Sequence, residues 1–336
     1  MQMNKLRIGI LGAGTIARRW MSDAHTVEEA EITCVASRDI SKARAFANRW
    51  GVPNAVEGYH ALVTHPEVDA VYVGTPHPMH CGHALLAMRA GKHVLCEKPV
   101  ALNAQQFVRM QDCARERGVF LMEAMWTRFF PAMLRVKQLL SEGEIGALRM
   151  VRAQMGFNAA FDAGSRLFDK ALGGGALLDI GCYPIALALD MFGCEPDQVT
   201  GTAEIGSTGI DEQNAIALHF PGGGVAALSS SIRANLPAEA VLYGENGSIR
   251  IPEFYHPESL LLERDGETSA VFEQRHAPEG FAFEVRHLCE CVRKGLLESP
   301  RMPHRDSVAV MRVMDSLRAQ WGIVYPGECE TPSAEG

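Results

Sequence analysis

Short apolar runs and longer stretches of helical character alternate through the first third of this chain. The runs cover residues 6–11, 31–36, 69–73, 93–96 and 120–122, each of a length suited to a buried strand. Between them, residues 41–50 read as a helix closed by Gly51, and residues 80–89 as a helix ending near Gly91. Residues 103–118 form a third, with Asn103 as N-cap and Gln106 at the capping-box position. Strands that alternate with helices predict a mostly parallel, doubly wound sheet.

After Glu123 the pattern changes. An aromatic stretch from Ala124 to Pro131 leads into a helix running to about Glu142. Strand-like runs follow at 148–155, 199–203, 215–219, 225–231, 240–243 and 248–251. Turns such as Pro221-Gly222-Gly223-Gly224 and Glu245-Asn246-Gly247 separate them, which predicts an antiparallel sheet. The expected fold is therefore an α/β dinucleotide-binding (Rossmann) domain over 1–123. An α+β domain with a large, mostly antiparallel sheet occupies 124–336.

Composition narrows the function classes. The net charge of −8 leaves no basic footprint, so nucleic acid is not an expected partner. No run of about 18 apolar residues is evident, so no membrane span is expected, and the start of the chain reads as a strand and turn rather than a signal peptide. The nine cysteines are scattered without a CxxC pair, which fits a reducing compartment, the cytoplasm by default. Cys289 and Cys291 belong on a helix, and residues 330–336 read as a polar tail.

The first strand runs directly into Gly12-Ala13-Gly14-Thr15-Ile16-Ala17, a G-x-G-x-x-A turn entering a helix. Gly12 permits the tight turn, Gly14 lets the backbone approach a pyrophosphate, and Ala17 allows close helix–strand packing. The phosphates would rest on free N–H groups at the helix start. The second strand ends in Ser37 and Arg38, where a ribose would be read. A guanidinium there suits the 2′-phosphate of NADP; the alternative is a solvated Arg38 with Asp39 at the ribose, as in an NAD enzyme.

Ligands of such sheets lie beyond the carboxyl ends of the strands. That singles out Thr75, Pro76, His77 and His80 after one strand, and Glu97-Lys98-Pro99 after the next. Lys98 can donate to a ribose or substrate hydroxyl, and Pro99 restricts it to extended backbone. His77, His80, Cys81 and His83 lack the spacing of a metal set, and no metal is expected. Further on, Gly173-Gly174-Gly175 opens an apolar helix stopped by Gly193, with Asp179 and Tyr183 spaced i and i+4 on one face. The cofactor-binding candidates are thus Gly12, Gly14, Thr15, Ile16, Ser37, Arg38, Thr75, Pro76, His80, Glu97 and Lys98.

The G-x-G-x-x-A turn, Glu97-Lys98-Pro99, and Gly-Gly-Gly-x-x-x-Asp179-x-Gly-x-Tyr183-Pro184, in this order over nearly the whole chain, resemble the glucose–fructose oxidoreductase / inositol dehydrogenase / MocA family. Within it the resemblance is to dimeric dihydrodiol dehydrogenases and NADP-dependent D-xylose dehydrogenases, carried by residues 123–131, Ser165-Arg166-Leu167 and residues 173–184. The resemblance implies Lys98 and Tyr183 as catalytic pair with Asp179 in support, and Arg128, Phe157, Arg166 and Asp179 lining the substrate pocket. Inositol-dehydrogenase-like members carry His where Tyr183 stands, which argues against an inositol enzyme. The implied activity is NADP-dependent hydride transfer at a CH–OH or CH–CH donor, a sugar or a trans-dihydrodiol. Lys98 would lower the pKa of the Tyr183 phenol so that it takes the substrate's proton. NAD is the other possible cofactor, and a homo-oligomer, dimer or tetramer, is expected. A second reading of the same residues is a non-catalytic NAD(P)-binding sensor.

Overall fold

The computed structural model describes residues 5–275 and 280–328. Strands β1 (Leu6–Leu11), β2 (Ala30–Ser37), β3 (Asn54–Glu57), β4 (Ala70–Val73), β5 (His93–Glu97) and β6 (Leu121–Ala124) form one sheet in the order β3-β2-β1-β4-β5-β6, all parallel. This is the doubly wound order, and the strand order reverses between β1 and β4. Helices α1 (Thr15–Ala24), α2 (Ile40–Trp50), α3 (Tyr59–Val63), α4 (His80–Arg89) and α5 (Ala104–Arg117) connect the strands. Strands covered on both faces must be apolar throughout, and Ile8, Ile10, Leu11 and all of β4 are buried.

Asn103 caps α5 by accepting from Gln106 N at 2.8 Å. Gln106 Oε1 accepts from Leu102 N at 3.2 Å, one residue earlier than a capping box requires. Strand β3 and helix α3 escaped the sequence pattern, because four half-exposed residues at a sheet edge carry little periodicity.

The second sheet has nine strands: β7 (Leu148–Asn158), β8 (Gln198–Ile205), β9 (Asp211–Phe220), β10 (Gly224–Ser231), β11 (Arg233–Leu236), β12 (Ala240–Gly244), β13 (Ser248–Ile251), β14 (Ser259–Arg264) and β15 (Glu267–Glu273). Eight of them run in the order β15-β14-β13-β12-β7-β10-β9-β8, while β11 pairs with β7. Pairing is antiparallel except between β10 and β7, where Val225 faces Met150 and Ser231 faces Gly156 in parallel register. Helix α6 (Pro131–Ser141) precedes this sheet, and α7 (Cys182–Phe192) crosses its inner face.

Two final helices tie the sheets together. α8 (Ala282–Arg293), which carries Cys289 and Cys291, packs on α1 and β2; α9 (His304–Trp321) packs on α5, α7 and β8. Buried Arg318 of α9 donates to Leu102 O at 3.0 Å and pairs with Asp315 and Glu328.

One expectation needs correcting. The helical stretch Lys170–Phe192 is long and apolar enough to cross a membrane, with a mean hydropathy of 1.5 over its best window. Of that window, 94% is buried inside the protein, because the helix lies between the sheet and α9. The polar tail at 330–336 lies outside the described residues.

Candidate active site

Gly12 sits at φ +105°, a conformation open to glycine, and a Cβ there would meet Thr75 and the Gly74 carbonyl at 3.0 and 3.1 Å. Gly14 is the N-cap of α1, with no side-chain cap and no acidic residue in the first turn. The helix therefore presents bare N–H groups to a cleft of about 560 Å³. Gly14, Thr15 and Ile16 form one end of that cleft. Thr75 and Pro76, beyond β4, and Glu97 and Lys98, at the end of β5, form its floor. Met155 and Phe157 of β7, Arg166, Asp179 of the turn before α7, and Tyr183 of α7 close it from the opposite side.

The tertiary fold thus brings Lys98 and Tyr183 together. Lys98 Nζ lies 4.8 Å from the centre of the Tyr183 ring and 3.6 Å from Asp179 Oδ1. It also donates to the Asp179 carbonyl. Local sequence explains why that carbonyl is available. Residues Leu177–Gly181 form a wide turn with i→i+5 bonding rather than the regular helix expected. In that register the donor to Asp179 O would be residue 184, a proline with no N–H, and Lys98 takes the oxygen instead.

Electrostatics set the protonation states. Burial alone would lower the pKa of Lys98; Tyr183 and Asp179 outweigh it and hold the ammonium above its ordinary value. Burial likewise pushes Asp179 up, but Lys98 and Arg166, the latter donating at 2.9 Å, hold it well below the usual carboxylate range. Tyr183 departs from the sequence expectation. Lys98 does lower it, yet burial and nearby acidic groups dominate, and its pKa lies above the ordinary value. The resting group is a neutral phenol, because desolvation costs a phenolate more than one adjacent cation returns.

Other candidates hold the site together. Glu97 Oε1 accepts from Tyr72 at 2.7 Å and Oε2 from Lys98 N at 3.2 Å, which fixes the backbone that carries the lysine. Each ring nitrogen of His80 faces a carbonyl, Pro99 O at 2.8 Å and Thr75 O at 2.7 Å, so the ring sits between the two floor loops and, when neutral, donates to one of them. Burial pushes its pKa down to about 4. His77 Nδ1 donates to Gly173 O at 3.0 Å, and His83 Nδ1 lies 3.0 Å from Thr75 Oγ1. Among the described residues no group of three His, Cys, Asp or Glu could hold a metal ion.

Ser37 ends β2 and Arg38 follows it; neither lines this cleft. Ser37 Oγ accepts from Asp39 N, Arg38 is exposed and interacts with Tyr59, and Asp39 caps α2 through Ser41 N. Arg128 is not in the pocket. It is 4% exposed and paired with Asp190 at 3.0 Å and Asp306 at 2.5 Å, since a buried guanidinium needs counter-charges and two aspartates supply them. Arg128→Ala is expected to cost about 3 kcal/mol in urea unfolding with cofactor affinity unchanged. Sequence reading missed Arg19, Met155 and Tyr255 in the lining. Arg19 stands within one turn of the glycine motif and could have been suspected; Tyr255, between β13 and β14, carries no local signal.

Residues 6–125 match the family described as "Oxidoreductase family, NAD-binding Rossmann fold" (GFO_IDH_MocA), and residues 133–250 match the GFO/IDH/MocA C-terminal domain. A trans-1,2-dihydrobenzene-1,2-diol dehydrogenase from Danio rerio is 40% identical, covering 95% of this chain and 98% of its own. The chain belongs to the GFO/IDH/MocA family.

The human dihydrodiol dehydrogenase is 34% identical over 96% of the chain and 98% of its own. Among solved structures, a 3-ketoreductase from Actinomadura kijaniata with NADP and TDP-benzene superposes with a TM-score of 0.86 at 30% identity, covering 94% of this chain and 98% of that one. An aldose–aldose oxidoreductase from Caulobacter crescentus with glycerol gives 0.87 at 26% identity, over 96% and 100%. As a GFO/IDH/MocA member the protein is a nicotinamide-dependent oxidoreductase. Its glycine turn, bare helix N-terminus and adjoining cleft fit the dinucleotide that this family binds.

Proposed function

We propose that the protein interconverts a hydroxyl and a carbonyl on a small diol or sugar, with NADP as the preferred cofactor. The observation that carries the reading is the meeting of Lys98 Nζ, Tyr183 and Asp179 in the cleft that begins at the Gly14 helix start. When bound, the nicotinamide accepts or supplies the hydride. Tyr183 gives a proton to, or takes it from, the reacting oxygen. Lys98, held charged, stabilises negative charge growing on that oxygen, and Asp179 with Arg166 orients the neighbouring hydroxyl.

Lining chemistry supports the substrate class. Trp126, Met155, Phe157, Ile180 and Tyr255 offer apolar surface, while Lys98, Arg166, Asp179 and Tyr183 offer polar edges. A ring with one apolar face and adjacent hydroxyls satisfies both, as a trans-dihydrodiol or an aldopyranose does. Relatives named for dihydrodiol and aldose substrates point the same way. A screen at 340 nm of trans-dihydrodiols and D-xylose with NADP and NAD tests the proposal. Tight cofactor binding with no turnover on any of them would favour a sensor.

Arg38 supports the NADP preference. Arg38→Ala is expected to raise KM for NADPH by about 10- to 100-fold and leave NADH nearly unaffected, since one charge-assisted contact to the 2′-phosphate is lost. Equal effects on both cofactors would remove the argument. Residues 1–123 then serve the cofactor and 124–336 the substrate and assembly. The outer face of the nine-stranded sheet exposes Ala215 and Ala217 on β9 and suits a homo-oligomeric contact. The cytoplasm is the compartment that fits eight described cysteines, all free thiols.

A further inference from the structure

Asp211 stands behind the reacting groups rather than among them. It opens β9 and is fully buried. Its Oδ2 accepts from Leu177 N at 2.8 Å and from Asn214 Nδ2 at 2.8 Å. Leu177 begins the wide turn that carries Asp179 and leads into Tyr183. Asn214 Oδ1 in turn accepts from Ser230 Oγ at 3.0 Å. That hydroxyl sits so close to Gly181, the last residue of the turn, that a Cβ there would lie 2.9 Å away. Asp211 therefore holds the first residue of the wide turn by a hydrogen bond, and Asn214 links it to Ser230, which packs against the last.

The turn needs such outside anchors. Pro184 gives it no N–H from the following helix, and Gly181 weakens it further. Approach from the other side is equally tight. Gly175 lies at φ +121°, and a Cβ on it would come within 2.6 Å of Asp211 Oδ1. Tyr325 donates to the neighbouring Gly174 O. Oδ1 itself has no hydrogen-bond partner among the described residues, and an oxygen left bare in the interior is costly.

We propose that Asp211 is a positioning residue for the reaction, locking the wide turn so that the Asp179 carbonyl and carboxylate and the Tyr183 ring meet Lys98. This rests on the reading of Lys98 and Tyr183 as the reacting pair. Burial pushes the Asp211 carboxyl up to about 7, so a neutral amide of the same shape is a mild replacement.

The test compares Asp211→Ala, Asp211→Asn and Tyr183→Phe. With NADPH and whichever dihydrodiol-derived ketone or aldose the wild type turns over, Asp211→Ala is expected to lose roughly 100-fold in kcat, the scale of a small misplacement of reacting groups, with the NADPH Kd within about two-fold. Asp211→Asn, which keeps an acceptor for Leu177 N, should recover to within about three-fold of wild type. In the cofactor-free protein, amide hydrogen exchange should speed up at Leu177–Gly181 in the alanine variant and not in the asparagine variant. Wild-type kcat in Asp211→Ala overturns the proposal. So does a uniform rise in exchange with matching loss of cofactor affinity, which marks general destabilisation. So does an asparagine variant as slow as the alanine one. Persisting turnover in Tyr183→Phe would instead sink the underlying reading, while a dead Tyr183→Phe beside a fully active Asp211→Ala sinks the positioning role alone.

Discussion

Tyr183→Phe is expected to lose roughly 100- to 10,000-fold in kcat, the range of a placed proton donor, while binding NADPH as the wild type does. The ring still fills its slot beside Lys98, so packing changes little and the hydroxyl alone is removed. A pH profile sharpens the test. The folded pKa of Tyr183 is raised, mainly by burial, so the phenol stays protonated through neutral pH and into the alkaline range. Carbonyl reduction uses that protonated form and should be flat there. Alcohol oxidation needs the phenolate, whose fraction grows about tenfold per pH unit below the pKa, so oxidation should climb with pH. Wild-type-like turnover in the phenylalanine variant, or an oxidation rate flat from pH 6 to 9, would remove Tyr183 from its role.

Lys98→Met should be as damaging by a different route. The lysine is the cation nearest Tyr183 and bridges to both the carbonyl and the carboxylate of Asp179. A methionine of similar length keeps the packing and removes the charge. Two losses then combine: the growing negative charge on the substrate oxygen is unscreened, and among the described residues Asp179 keeps Arg166 alone as an ion-pair partner. A loss of about 100- to 1,000-fold in kcat is expected from the missing electrostatic stabilisation alone. Because Lys98 also lines the cofactor cleft, KM for NADPH should rise, which separates this variant from Tyr183→Phe. Oxidation should suffer more than reduction, since losing the cation drives the phenol pKa higher still. A variant that keeps wild-type kcat at saturating NADPH would show that the lysine only binds cofactor.

These expectations use residues that local pattern could identify one at a time. The G-x-G-x-x-A turn, Lys98 at a strand end, and the glycine-rich run before Asp179 and Tyr183 each carry a backbone requirement that a few neighbours express. Parallel strands buried on both faces likewise announce themselves as short apolar runs. The first sheet was legible for that reason, and the polar edge strands β3 and β15 were not.

What only the tertiary structure decided is which groups face one another and in what charge state. Arg128 and Arg166 look alike in sequence, yet one is locked between Asp190 and Asp306 and the other reaches Asp179 in the cleft. The Tyr183 pKa depends on the balance of burial against one cation, and Asp211 reaches Leu177 N because β9 runs behind the wide turn. Sequence determines local backbone because its causes lie within a few residues. Charge pairing and desolvation depend on groups brought together from distant parts of the chain, and folding alone sets those distances.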